Sequence, residues 1–230
     1  MKTHRITAIF TGILFLIAAV ASIAGLILYE PVLNDTQYIV HNNSNKSQIL
    51  WGAIFEIITA FAVIVMPIFL FSILKEINLG MAMAIICFRL LEATIIIIGT
   101  ISLLTIITLN QEFAKEINPN AYSYLVAGKS LLAIHKWTFL FGPNLALAPS
   151  TFMTAYLLYK AKLVPRIIAI LGLIGGPLIF LSALFVMFGF YSQISTLGIS
   201  AAIPVFFYEM SLAIWLIVKG FDVSLLDFKK

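Results

Sequence analysis

Long apolar stretches separated by short polar ones recur six times along the 230 residues: Ile6 to Tyr29, Leu50 to Leu74, Leu79 to Leu109, Trp137 to Tyr159, Ile167 to Phe190 and Gly198 to Val218. Each is near the roughly 20 residues a helix needs to cross a hydrocarbon core of about 30 Å. Lipid requires every backbone polar group to be satisfied within the spanning element. The alternating pattern of a spanning barrel is absent, so helices are the expected form. The pattern predicts an all-α polytopic bundle of six transmembrane helices in a single domain, residues 1–230. A further stretch, Ala121 to His135, mixes Leu125, Leu131, Leu132 and Ile134 with Ser123, Lys129 and Ser130. It is too short to span, which predicts a short interfacial helix between the third and fourth spans, lying in the interface or folded over the bundle mouth.

Charge sets the orientation. Lys2, Arg5, Lys75, Lys160, Lys162, Arg166, Lys219, Lys229 and Lys230 fall on one side of a six-span chain, and Lys46, Lys115, Lys129 and Lys136 on the other. By the positive-inside rule both termini are cytoplasmic. Tyr29, Trp51, Trp137 and Tyr191 are the expected outer interface anchors, and Tyr156, Tyr159 and Trp215 the inner ones. The first span follows a basic Met1 to Arg5 segment like a signal peptide, but its apolar run exceeds the about 7 to 15 residues of a cleavable core and reads as a retained anchor.

Composition agrees with this picture. The chain is 62% hydrophobic and 10% charged, against about 45–50% and about 25% in soluble domains. The net charge of +4 is explained by topology, so membrane lipids are the expected partners and nucleic acid is not. The lone Cys87 rules out a disulfide framework and a thiolate metal cluster. Sequon-like triplets at Asn34, Asn42 and Asn45 carry meaning only where exported loops are glycosylated.

Prolines at 67, 143, 149, 177 and 204 interrupt four spans and are expected to bend them. Ala18, Ser22 and Gly25 in the first span, and Gly172 with Gly176 in the fifth, have the small-residue spacing of close helix contacts. No convincing inverted repeat is present.

The candidate chemistry lies in charges that interrupt these spans: Glu56, Arg89, Glu92 and Glu209. Each opposes insertion by roughly 2.5–3.5 kcal/mol at a helix centre, so an ionisable residue there marks a functional site by default. At 1.5 Å per residue from the cytoplasmic anchors, Glu209 and Arg89 come out at about 15 and 16 Å, Glu92 at about 21 Å, Asn144 at about 24 Å and Glu56 at about 28 Å. Arg89 and Glu92 share a helix face, and Glu209 is the depth-matched acid from another helix. A guanidinium can bind two carboxylates at once, which predicts a Glu92–Arg89–Glu209 triad. One acid remains in surplus. Glu56, nearest the outer surface, is expected to exchange a proton or bind a cation. Asn144, Ala148 and Thr151 share a face of the fourth span and are expected to form a polar wall, with His135 and Lys136 at its outer end.

No metalloprotease, phosphate-loop, nucleophile-elbow or dinucleotide signature is present, leaving no catalytic residue, metal ligand or cofactor to assign. The chain carries Arg5-Ile6-Thr7-Ala8, Tyr29-Glu30-Pro31-Val32-Leu33-Asn34-Asp35, Phe88-Arg89-Leu90-Leu91-Glu92-Ala93, Trp137-Thr138-Phe139-Leu140-Phe141-Gly142-Pro143, Leu163-Val164-Pro165-Arg166, and Glu209 ahead of Leu216 to Phe221. In these stretches, over nearly its whole length, it resembles a bacterial family of integral membrane proteins catalogued as domain of unknown function 4386. The resemblance implies a multi-pass protein of the bacterial cytoplasmic membrane and transfers no activity. The leading expectation is an outward-facing cavity that binds or transports a small solute, ion or lipid headgroup. Its rivals are a structural or regulatory subunit whose charges only fasten helices, and an intramembrane lipid-modifying enzyme.

Overall fold

The computed structural model describes residues 2–35, 37–40 and 45–222, apart from the side chains of residues 2 and 3. The described residues form helices and connections: α1 Lys2–Leu28, α2 Glu30–Leu33, α3 Lys46–Leu74, α4 Leu79–Lys115, α5 Ala121–Leu140, a π-helical segment Phe141–Ala146, α6 Leu147–Lys160, α7 Arg166–Met187 and α8 Thr196–Val218. Five of them (α1, α3, α4, α7 and α8) are long and apolar enough to cross a membrane. The expected charges Lys229 and Lys230 and the triplet at Asn42 lie outside the described residues.

The packed pairs close a ring. α1 packs on α3, α3 on α4, α4 on α6, α6 on α7, α7 on α8 and α8 back on α1. Large apolar side chains such as Val20, Ile27, Phe61, Ile98, Ile174 and Ile214 point away from it, as a lipid-facing rim requires. Small residues let the helices approach. A Cβ on Gly172 would stand 2.7 Å from the Ala155 Cβ and 2.8 Å from the Tyr208 ring, and one on Gly176 would stand 3.0 Å from the Ala148 carbonyl oxygen. The glycine pair in α7 is thus used for packing inside the chain, against α6 and α8.

Two clusters seal the ends. One gathers Ala8, Leu74, Leu157, Leu163 and Leu216 where the chain turns from α6 to α7. Here the Arg5 guanidinium donates to the carbonyls of Leu216, Ile217 and Val218 at 3.2, 2.6 and 3.1 Å, capping α8 from α1. Gly220, at φ 81°, adopts the left-handed conformation that ends α8 and donates to the Trp215 carbonyl. The other cluster joins Tyr29, Val32, Ile39, Ile49 and Leu103, and Asn110 Nδ2 ties the 37–40 loop to α4 through the carbonyls of Tyr38 and Ile39 at 3.1 and 2.9 Å.

The region after the third span differs from expectation. α4 runs to Lys115 rather than ending at Leu109, and α5 starts at Ala121 and passes straight through Trp137 into the π segment and α6. Residues 121–135 are therefore the first part of a longer helix rather than a separate one. The residues beyond Leu109, Gln111-Glu112-Phe113-Ala114-Lys115, are good helix formers, so the helix outlasts the apolar run that hydropathy reads. Asn120 caps α5 by accepting from the Ser123 amide, and Tyr124 donates to Glu116 at 2.8 Å, clasping the turn between the two helices.

Candidate functional site

The interior of the ring holds a chamber of about 240 Å³ between the two sealing clusters. Its walls are mostly apolar, and its polar groups come from five elements: Ser22 from α1, Glu56 and Thr59 from α3, Arg89, Glu92 and Thr100 from α4, His135 and Thr138 from α5, and Glu209 from α8. Tyr29, between α1 and α2, completes the set.

Arg89 lies at the centre of the polar groups. Its Nη1 donates to Glu92 Oε2 at 3.2 Å and its Nη2 to Glu209 Oε1 at 3.0 Å. Arg89 and Glu92 are buried, with side chains 5% and 4% exposed, while Glu209 keeps 18%. The expected triad is therefore formed. Glu92 reaches Arg89 because three residues on a helix place both on one face. Glu209 reaches it because α8 stands opposite α4 in the ring, so the ion pair crosses the interior like a strut.

Glu56 faces the same chamber by a different route. The Gly25 backbone in α1 makes room for it: a Cβ there would be 2.8 Å from Glu56 Oε1 and 3.2 Å from its Cγ. Among the described residues Glu56 makes no ion pair, and Arg89, the chamber's guanidinium, is committed to the other two acids. The small residue of the Ala18–Ser22–Gly25 stripe therefore seats a carboxylate as well as a helix.

Asn144 departs from expectation. It is half-buried and absent from the chamber lining, whereas Pro143 and Leu147 line it. The Phe141–Ala146 stretch winds as a π helix, so the α-helical spacing that put Asn144 on a face with Ala148 and Thr151 does not hold through it. Pro143, which lacks an amide donor, sits inside that wider turn.

Tyr29 departs from expectation as well. Instead of anchoring at the interface it is 1% exposed inside the bundle, beside Glu56 and Thr100, and its hydroxyl has no hydrogen-bond partner. Trp51 and Trp137 remain 58% and 48% exposed, as interface anchors would be. The signal for Tyr29 was its neighbour Gly52, whose missing Cβ would lie 2.8 Å from the Tyr29 ring; sequence alone does not pair the two.

A second cavity of about 470 Å³ adjoins the first at the end carrying the 29–40 and 188–195 connections. The two share Leu26, His135 and Phe139 as a partition. His135 stacks on Phe139 at 6.3 Å between centroids and meets Tyr29 edge-on at 5.9 Å, with its Nδ1 3.3 Å from the Gly99 carbonyl oxygen. Asn34, Lys136, Ser192 and Gln193 supply the polar rim of this vestibule, and Gln193 Nε2 donates to the Phe139 carbonyl at 3.0 Å. The arrangement is a two-compartment recess with an aromatic partition, a paired triad at one wall and an unpaired acid at another.

A family model described as Domain of unknown function (DUF4386) matches residues 10–220. No curated protein and no solved structure matches.

Proposed function

We propose that this chain, which belongs to the DUF4386 family, is a six-span protein of the bacterial cytoplasmic membrane whose chamber opens outward and binds or transports a small solute, ion or lipid headgroup. Both termini are cytoplasmic in this reading. The span beyond α1, α3, α4, α7 and α8, fourth in chain order, is the composite of late α5, the π segment and α6. Its Ser150, Thr151 and Thr154 are 0, 0 and 3% exposed, so α6 is sheltered within the ring and has less need of an apolar surface than its neighbours. Early α5 then lies beyond the hydrocarbon core and overhangs the mouth.

The observation that carries the reading is the chamber itself. A triad that merely fastened helices would be expected in a dry, filled core, because unpaired space beside a buried charge weakens it. Here the triad forms one wall of a cavity that adjoins a vestibule, with Leu26, His135 and Phe139 as the shared partition. Glu56 is the proton- or cation-exchanging group in this reading, Arg89, Glu92 and Glu209 form the floor, and lipid surrounds the bundle.

Thiol labelling tests the opening. Thr59 is buried, lines the chamber and lies one helical turn from Glu56. In a Cys87→Ala background, Thr59→Cys is expected to react with a small membrane-impermeant methanethiosulfonate added from the outer face. Labelling only from the cytoplasmic face, or none, would overturn the outward-facing chamber.

A further inference from the structure

Resting on the chamber reading above, we infer that the ligand is a small organic cation, an ammonium group on an apolar body, with Glu56 as its counter-ion and Tyr29 as the polar group beside it. The charge inventory gives the sign. Three carboxylates and one guanidinium line the chamber, and the guanidinium is taken by Glu92 and Glu209 at 3.2 and 3.0 Å. Glu56 has no such partner among the described residues, and an anion entering the chamber would meet net negative charge. Lys136 lines only the vestibule and is exposed, so water and salt screen it within a Debye length of about 8 Å.

The walls give the chemical class. A hard inorganic cation takes six or more oxygen ligands or keeps its water, and this chamber offers mainly hydrocarbon around its acids. An ammonium carried on an apolar body suits such walls, and the ring faces of Phe15, Tyr29 and Phe139 are of the kind that attract it. The Tyr29 hydroxyl is the second, independent sign. It is buried and unpartnered at the chamber wall, a costly state that the Glu56 carboxylate, drawn toward the cation, would relieve by accepting from the hydroxyl. The volume of about 240 Å³ exceeds the roughly 150 Å³ of an apolar cavity that holds benzene, so a cation built on one ring fits.

The probe is benzyltrimethylammonium, titrated calorimetrically into the full-length protein in maltoside detergent, with benzenesulfonate as the anionic counterpart of similar size. Saturable binding of the cation alone is expected, weakened about tenfold or more by Glu56→Gln, partly restored in Glu56→Asp and weakened several-fold by Tyr29→Phe. Preference for benzenesulfonate, or unchanged affinity in a folded Glu56→Gln protein, would overturn the inference. Should Glu56→Gln fail to fold, Gly25→Ala displaces the same carboxylate from the neighbouring α1 and must weaken the cation too. The labelled Thr59→Cys protein separates the two levels of the argument. If it reacts from outside but benzyltrimethylammonium gives no protection, the chamber stands and the cation falls; if it does not react, both fall. An ammonium reaches such a chamber free or as a lipid headgroup. Displacement of the probe by dihexanoylphosphatidylcholine supports the cation site with a lipid as its source, and binding undisturbed by that lipid supports it with a free solute.

Discussion

At the scale of single residues, Arg89 carries the largest energetic consequence. A guanidinium with side-chain exposure of 5% is tolerable only because two carboxylates receive it. Glu209→Gln removes one charge-assisted bond and leaves Glu92 in place, an expected cost of about 1.5–3 kcal/mol in thermal unfolding in detergent. Arg89→Met should cost more, about 3–5 kcal/mol, because it leaves two acids facing each other with no cation. Equal melting temperatures for both variants and wild type would show that the triad contributes nothing to holding α4 and α8, and the reverse order would show that an unpaired guanidinium costs more than two facing acids. The triad was legible before the structure because helical spacing and depth are one-dimensional quantities. The Tyr29 position was not, since burial of an aromatic at a helix end depends on which glycine faces it, and Gly52 lies on another helix.

At the scale of elements, hydropathy located the cores of the helices but not their ends. α4 and α5 both extend past their apolar runs, since leaving the membrane does not oblige a helix to stop when propensity and a capping residue such as Asn120 favour continuing. Asn144 lies off the face that α-helical spacing predicts for a related reason: counting in fours fails through a π segment, and Pro143 alone does not reveal which kind of irregularity will form. The spacing of the α7 glycines predicts close helix packing, and the structure uses them that way. Gly172→Ala would bring a methyl within 2.7 Å of the Ala155 Cβ and 2.8 Å of the Tyr208 ring, forcing α7 off its neighbours. Overpacking of this kind costs typically about 1–3 kcal/mol. A drop in melting temperature with cation affinity preserved would place the effect in helix packing, whereas an unchanged melting temperature would refute the close contact.

At the scale of the whole molecule, the ring closes because the first and last long helices meet. Arg5 holds that seam by donating to three carbonyls at the end of α8, where a cation also complements the helix dipole. Arg5→Gln is expected to lower stability by about 1 kcal/mol and to speed hydrogen exchange at the amides of residues 216–220, with exchange in α4 unchanged. Uniform acceleration across the bundle would mean that the seam is not a local unit.

The strut between α4 and α8 also bears on synthesis. Its two ends are separated by 120 residues, so Arg89 emerges from the ribosome long before Glu209 exists. At about 5–20 residues per second that wait lasts roughly 6–24 s, and Glu92, one turn away, is the acid available to accompany the guanidinium into the bilayer. Pairing within one helix in this way lowers the cost of inserting Arg89 before Glu209 is made, and a ribosome-stalled chain ending before α8 is expected already to hold α4 in the membrane while leaving the recess without its final wall.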